Sequence, residues 1–274
     1  MLGLFRSKPL LDEASVNWLF SAFDWALRNL DREIFERRIH LVTPTNRDFP
    51  DLIEDRTRTA EILFARIKHH AAMDDWPCEL VEQDPDIDLH VAPTVVLQNM
   101  PRDPAGTFLH RGGDGKAARI TYNPALLRRP DDLTATLAHE LAHYLGATIQ
   151  EPPPGGEEYH EHATDILAIV LGFGIFQTAS TFSFRQYTDM GRGTQGWETR
   201  RLGYLSSKES AYALAIFCSL KNLPSSEAAR FLRNPQKAFL RKAAKEIAHR
   251  PQDLARLKND AATSHSPALL AAPI

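Results

Sequence analysis

The sequence is poor in cysteine and has no strong excess of charge of either sign. Its 274 residues include only two cysteines, Cys78 and Cys218, which form neither a Cys-x-x-Cys pair nor a disulfide framework. The formal net charge is −3 at pH 7, so no overall polycation indicates a nucleic-acid binder. These scarcities exclude a disulfide-rich scaffold and favour a reducing compartment.

Long hydrophobic runs are also lacking. The longest run, Ile166 to Phe176, is shorter than the roughly 20 residues that a membrane-spanning helix needs, so it is predicted to be a buried helix. The first residues lack the apolar core and the cleavage site of a signal peptide. We therefore expect a cytoplasmic protein without a membrane partner.

The remaining composition is that of a folded domain, with 43% hydrophobic and 24% charged residues. Apolar residues at helical spacing predict two amphipathic helices, over 16–34 and 60–71. A β-hairpin is predicted where 107–110 and 119–122 flank a glycine-rich turn. Three short strands are predicted at Ile39–Val42, Cys78–Val81 and Thr94–Gln98. The predicted fold class is α+β, mostly helical, with a small sheet.

Helices dominate the second half of the chain. Asp131 is predicted to cap a helix that ends near Gly146, and a second helix, apolar on nearly all sides, follows from Tyr159 to Thr178. Ser206 and Glu209 form a predicted capping box, and further helices are predicted to begin near two prolines, Pro224 and Pro235. We expect a mixed helical region at 1–90, a core at 91–205, a C-terminal helical region at 206–262 and a flexible tail at 263–274.

The helix that ends near Gly146 carries the pattern His-Glu-x-x-His, formed by His139, Glu140 and His143. Residues four apart lie on one face of a helix, so both imidazoles can reach a single tetrahedral zinc ion. Glu140 then lies beside the metal, where it can accept a proton from water as a general base. The pattern predicts a catalytic zinc site.

The second helix offers carboxylates for the rest of such a site. Glu161 and Asp165 are one turn apart and share a face, so Glu161 can be the third ligand while Asp165 accepts the free ring N–H of a ligand histidine. The same helix begins with several titratable groups, and Glu158, His162 or Asp165 are alternative third ligands.

This order of strand, His-Glu-x-x-His helix, loop and helix with Glu-x-x-x-Asp resembles the zincin metallopeptidases, specifically the gluzincin group that includes thermolysin-like enzymes. The resemblance covers Ala118 to Thr178, and the 164–174 stretch is also similar to that of uncharacterised bacterial His-Glu-x-x-His proteins. It implies a zincin-like core, Zn²⁺ as cofactor and hydrolysis of a peptide or protein substrate. The residue roles that it implies are metal ligation by His139, His143 and Glu161, general-base catalysis by Glu140, and support of a ligand by Asp165.

The metzincin subgroup is disfavoured, because Ile149 stands where that motif has its third histidine. A second donor for the oxyanion is expected from His160, Tyr204 or Tyr212, among which the sequence does not choose. The alternative hypothesis is a regulatory or binding protein that keeps the metal core but has little turnover.

A basic segment remains. From Lys221 to Lys258 there are ten lysines and arginines against three acidic residues. A run of this kind is usually the solvated face of terminal helices, so we do not expect nucleic acid as the partner. The alternative that this segment binds nucleic acid stays open.

Overall fold

The computed structural model describes residues 8–51, 58–83, 106–109, 118–180 and 204–263. This part of the chain is α+β and mostly helical, as predicted. Its helices are α1 Glu13–Asn29, α2 Thr59–His70, α3 Pro130–Gly146, α4 His160–Ala168, α5 174–180, α6 Ser207–Leu220, α7 Ser225–Ala229, α8 Asn234–Ile247 and α9 Pro251–Thr263. Its strands are β1 Cys78–Glu82, β2 Gly106–Leu109 and β3 Ala118–Tyr122.

The three strands form one small sheet in the order β1-β3-β2. β1 pairs with β3 in parallel, and β2 pairs with β3 in the antiparallel sense of the predicted hairpin, with Gly106 opposite Tyr122. The predicted glycine-rich turn and the predicted strand at 94–98 lie outside the described residues. In β3 every second side chain is buried, and these side chains, Ala118, Ile120 and Tyr122, face the helices.

α3 lies against this sheet and begins at Pro130, two residues earlier than a cap at Asp131 would allow. Proline is favoured at the first helical position because an N–H there would have no partner within the helix, so its absence costs nothing. Asp131 falls in the first turn, where a carboxylate interacts favourably with the helix dipole. The helix ends at Gly146, as predicted. Nearly every side chain of α3 from Leu133 to Leu145 is buried, which places the His-Glu-x-x-His pattern inside the protein.

A π-helical segment, Ile169–Phe173, joins α4 to α5, so that helical structure runs from Glu157 to Ser180. These 24 residues contain an 18-residue window with a mean hydropathy of 1.5, long and apolar enough to cross a membrane, but 94% of that window is buried inside the protein. A core helix passes the same length and hydropathy test. Burial, and not the length argument made from the sequence, is what marks this segment as a core helix.

The predicted strand at Ile39–Val42 is wrong. The backbone is extended at Ile39, but the N–H of Val42 donates to the carbonyl of Gly172 at 3.0 Å instead of to a neighbouring strand. Gly172 interrupts the helix with φ +102°, and a Cβ on it would lie 2.3 Å from the carbonyl oxygen of His40. Only glycine fits this crossing, because both the positive φ and the close approach exclude a side chain.

α1 holds the loop between α3 and α4. The indole N–H groups of Trp18 and Trp25 donate to the carbonyls of Pro154 and Glu151 at 2.8 and 2.9 Å. The guanidinium of Arg28 pairs with the Glu151 carboxylate at 2.9 Å. We call these three contacts the α1 clamp; they fix where α4 begins relative to α3.

One hydrophobic core draws on all three predicted regions, including Phe23 of α1, Leu141 of α3 and Leu240 of α8. The capping box of Ser206 and Glu209 is present at the start of α6, and α7 and α8 begin beside the two predicted prolines. Both cysteines are free. The predicted tail lies outside the described residues after 263.

Part of the basic segment 221–258 makes contacts within the protein itself. Lys221 donates to the carbonyls of Phe35 and Glu36, and Lys242 donates to the carbonyl of Lys8. Arg250 pairs with the carboxylate of Glu13. These cations fasten the C-terminal helices to the N-terminal region, which is a structural use of the charge.

Candidate metal centre

The two histidines of the pattern point to one place because both belong to one face of α3. Their ring centroids are 4.6 Å apart and the rings are nearly perpendicular. His139 is only 3% exposed, and His143 is partly buried. A histidine pair held in this way on a buried helix face can bind one metal ion.

Glu161 of α4 completes the group from the opposite side. Its Oε2 atom lies 3.5 Å from Nε2 of His139 and 3.3 Å from Nε2 of His143. Zinc bonds of about 2.0–2.1 Å place two donors of a tetrahedral ion roughly 3.4 Å apart, which matches both separations. The ligand atoms of the three residues all lie within 4.8 Å of one another.

Two of these atoms are buried without a hydrogen bond. Among the described residues, neither Nε2 of His139 nor Oε2 of Glu161 has a partner of acceptable geometry. A buried polar atom without a partner costs about 1–3 kcal/mol, and a cation between these atoms removes that cost. The donor set of two imidazoles and one carboxylate suits zinc, so the residues present fit the predicted ion.

The carboxylate of Asp165 contacts the other ring nitrogen of His139. Its Oδ1 lies 3.0 Å from Nδ1 of His139, in a buried contact. A carboxylate accepts, so Nδ1 of His139 carries a hydrogen, and Nε2, which faces Glu161, is the nitrogen on which a metal ion can replace a proton. The second oxygen, Oδ2, accepts the backbone N–H of Leu205 at 2.9 Å.

Thr164 supports His143 in a way that the sequence analysis missed. Its hydroxyl donates to the carbonyl of His160 at 3.0 Å, so its oxygen is free to accept from Nδ1 of His143 at 3.3 Å. With its hydrogen on Nδ1, the neutral ring of His143 has its lone pair on Nε2, the nitrogen that faces Glu161. Thr164 lies three residues after Glu161, and this helical spacing was the available signal.

The charges of the three ligands depend on one another. Burial opposes ionisation of Glu161, but the two facing imidazoles hold the pKa of its carboxyl well below its usual range. Burial likewise opposes the charged form of His139, but Asp165 and Glu161 raise the pKa of that ring well above its ordinary value. Burial lowers the pKa of His143. The group is therefore a carboxylate facing one basic and one neutral imidazole, an arrangement in which a metal ion can take the place of the bound proton.

Glu140 is not a surface acid. It is 1% exposed, and its charge contributes to the raised pKa of His139. Glutamate is almost never buried to this degree unless it is paired or functional. The Glu140 carboxylate is therefore an interior charge close to the ring of His139.

The structure separates the alternative third ligands from Glu161. Glu158 is exposed, and Asp165 is engaged behind His139. The ring of His162 faces α1, with its centroid 5.8 Å from that of Trp18. In the described part of the chain, the group that could hold a metal ion is His139, His143 and Glu161.

Two of the three predicted oxyanion donors lie at the site. His160 is stacked on His143 with ring centroids 5.6 Å apart, and Tyr204 packs against His139 at the same distance. Tyr212 is instead buried in α6 among charges from the N- and C-terminal helices, chiefly Arg250 and Glu246. Its position does not favour a role at this site.

Comparison of the chain with known protein-family models, with curated proteins and with solved structures found no match. The structure itself supports a narrower conclusion than the sequence resemblance does. The chain contains a partly buried His-His-Glu group that could hold a metal ion.

Proposed function

We propose that this protein is a zinc-dependent metallopeptidase. The observation that carries the proposal is the convergence of Nε2 of His139, Nε2 of His143 and Oε2 of Glu161, with two of these atoms buried and unpaired. Both histidines are supported through their other ring nitrogen, as catalytic zinc sites require. Three protein ligands leave a fourth position for water or substrate.

A bound zinc ion supplies Lewis-acid polarisation of the scissile carbonyl and makes water acidic near neutral pH. The chain's own contribution is proton transfer. The Glu140 carboxylate accepts a proton from the water that attacks the carbonyl carbon, and it returns that proton to the amide nitrogen as the C–N bond breaks. His139, His143 and Glu161 hold the ion, while Asp165 and Thr164 keep the two rings oriented.

The burial of Glu140 favours a second candidate function, a metal-binding regulatory protein with little turnover. A general base has to reach water and substrate, and a side chain that is 1% exposed reaches neither unless its surroundings open. Under this alternative, the metal group is retained for folding or sensing.

Metal content by mass spectrometry, together with hydrolysis of a mixed peptide library, tests the proposal. Wild type is expected to bind about one zinc per chain, and His143→Ala and Glu161→Ala are expected to lose it. Glu140→Gln should keep the metal but lower hydrolysis at least about 100-fold. Glu158→Gln, an exposed glutamate nearby, is the matched control and should change neither quantity.

Each contrary result has a defined meaning. If wild type binds zinc but cleaves no peptide, or if activity survives Glu140→Gln and is lost in the ligand variants, general-base hydrolysis is not the function. If wild type binds no stoichiometric metal even when zinc is supplied, the metal centre itself is wrong.

A further inference from the structure

Asp165 links two parts of the molecule that are distant in sequence. Its Oδ1 contacts Nδ1 of His139, 26 residues away, and its Oδ2 accepts the N–H of Leu205, 40 residues away. Both contacts are buried, and Asp165 itself is 6% exposed. Each carboxylate oxygen therefore serves one partner, and the orientation of the group is shared by both.

The residues around Leu205 form the beginning of α6. Tyr204 packs its ring against His139, and Ser206 caps the helix by accepting the N–H of Glu209. This junction, residues 204–206, therefore contacts the metal ligand His139 directly through Tyr204 and indirectly through Asp165. Nothing in the local sequence of 204–206 requires either contact.

We propose that Asp165 couples metal binding at His139, His143 and Glu161 to the docking of residues 204–206. The inference rests on the metal centre of the proposed function, but not on peptide hydrolysis. Ligation fixes the ring of His139, and with it the direction in which Nδ1–H donates. The carboxylate that receives this hydrogen is then held where it also accepts the N–H of Leu205.

The coupling acts equally in both directions. Bound metal raises the equilibrium constant for docking of residues 204–206 by some factor. Docking then raises the affinity for the metal by the same factor. Loss of an outer carboxylate that orients a ligand histidine typically costs about 10- to 100-fold in metal affinity. We expect the metal-dependent stabilisation of the junction to have the same size.

Hydrogen exchange of the full chain, followed by mass spectrometry with and without added Zn²⁺, tests the coupling. In wild type, zinc should slow exchange of the amides of residues 205–209 by about tenfold or more. In Asp165→Asn, which keeps the shape but gains an NH₂ that cannot accept, the zinc affinity should fall about 10- to 100-fold. At saturating zinc, the slowing of exchange should be lost in this variant.

Ser206→Ala is the matched control, because it removes the cap of α6 without touching Asp165. Exchange at the junction should become faster in this variant with and without zinc, while the ratio between the two conditions stays as in wild type. Glu161→Gln should abolish the effect of zinc. The wild-type comparison needs no variant, so a poorly folded Asp165→Asn does not leave the proposal undecided.

The proposal is overturned if zinc binds wild type without slowing exchange at 205–209, or if Asp165→Asn weakens zinc binding but keeps the slowing. In both cases the metal centre stands and only the coupling fails. If mass spectrometry finds no bound metal, the coupling falls together with the metal centre. If zinc slows exchange while no peptide is cleaved, the coupling stands and the peptidase proposal fails.

Discussion

The hydroxyl of Thr164 accepts the Nδ1 hydrogen of His143, because its own hydrogen is already donated to the carbonyl of His160. A single side chain on α4 thus selects the tautomer of a histidine on α3. The neighbouring Asp165 does the same for His139. α4 therefore supplies one member of the His-His-Glu group and both of the side chains that orient the two histidines.

Replacement of Thr164 by valine keeps the volume but removes the acceptor for His143. We expect zinc affinity to fall by about tenfold, toward the lower end of the range for such supporting groups, because the ring loses its orientation. A competition titration with a zinc chelator measures the change. Thr164→Ser keeps the hydroxyl and should bind zinc as wild type does; equal losses in both variants would mean that packing, not the hydrogen bond, is responsible.

Gly172 is expected to be the most substitution-sensitive glycine of the described residues. Gly172→Ala combines a φ of +102° with a Cβ only 2.3 Å from the carbonyl oxygen of His40, so it should lower the free energy of unfolding by about 2 kcal/mol or more. Gly156→Ala also has a positive φ, +79°, but its Cβ would meet nothing within 4 Å, so about 1 kcal/mol is expected. Urea unfolding of both variants separates the clash from the backbone strain, and equal losses would contradict the clash.

His70 is expected to make stability depend on pH. Burial lowers the pKa of this ring below its ordinary value, and its Nε2 donates to the carbonyl of Asp48 at 2.7 Å. The rings of His40 and His69 lie within 6 Å of it, and the Asp48 carboxylate, which pairs with Arg47, opposes their repulsion only in part.

Because the folded pKa is depressed, the contribution of His70 is complete above the unfolded value of about 6.5 and is lost as the pH falls through that value toward the folded pKa. The slope is at most about 1.4 kcal/mol per pH unit. Urea unfolding between about pH 7.5 and pH 5.5 should show a smaller loss for His70→Gln than for wild type. His249→Gln, an exposed histidine on the C-terminal side of α8, should leave the loss unchanged.

Much of the metal centre is predictable because helical spacing places the relevant side chains of each helix on one face. His139 and His143 are one turn apart, as are Glu161 and Asp165, and each pair falls on one face of its helix. The choice between Glu161 and His162 is not local. It depends on which face of α4 turns toward α3, and that is set by the packing of Trp18 on the other side.

Two wrong predictions, the strand at Ile39–Val42 and the helix cap at Asp131, also arose because the deciding feature is not local to the pattern. Ile39–Val42 has the composition of a strand, but its backbone partner is the interrupted helix at Gly172, which no local pattern reveals. Asp131 has the side chain of a cap, but Pro130 begins the helix before it. In both cases a partner or a backbone constraint outside the pattern decided the outcome.

The α1 clamp has a kinetic consequence. Trp18 and Pro154 are separated by 136 residues, and Trp25 and Glu151 by 126, so each contact closes a loop of about half the chain and pays a large entropy of loop closure. The position of α4 relative to α3 follows from them. During refolding, the ligand triad should therefore form late, and a metal ion should trap a nearly complete fold instead of nucleating it.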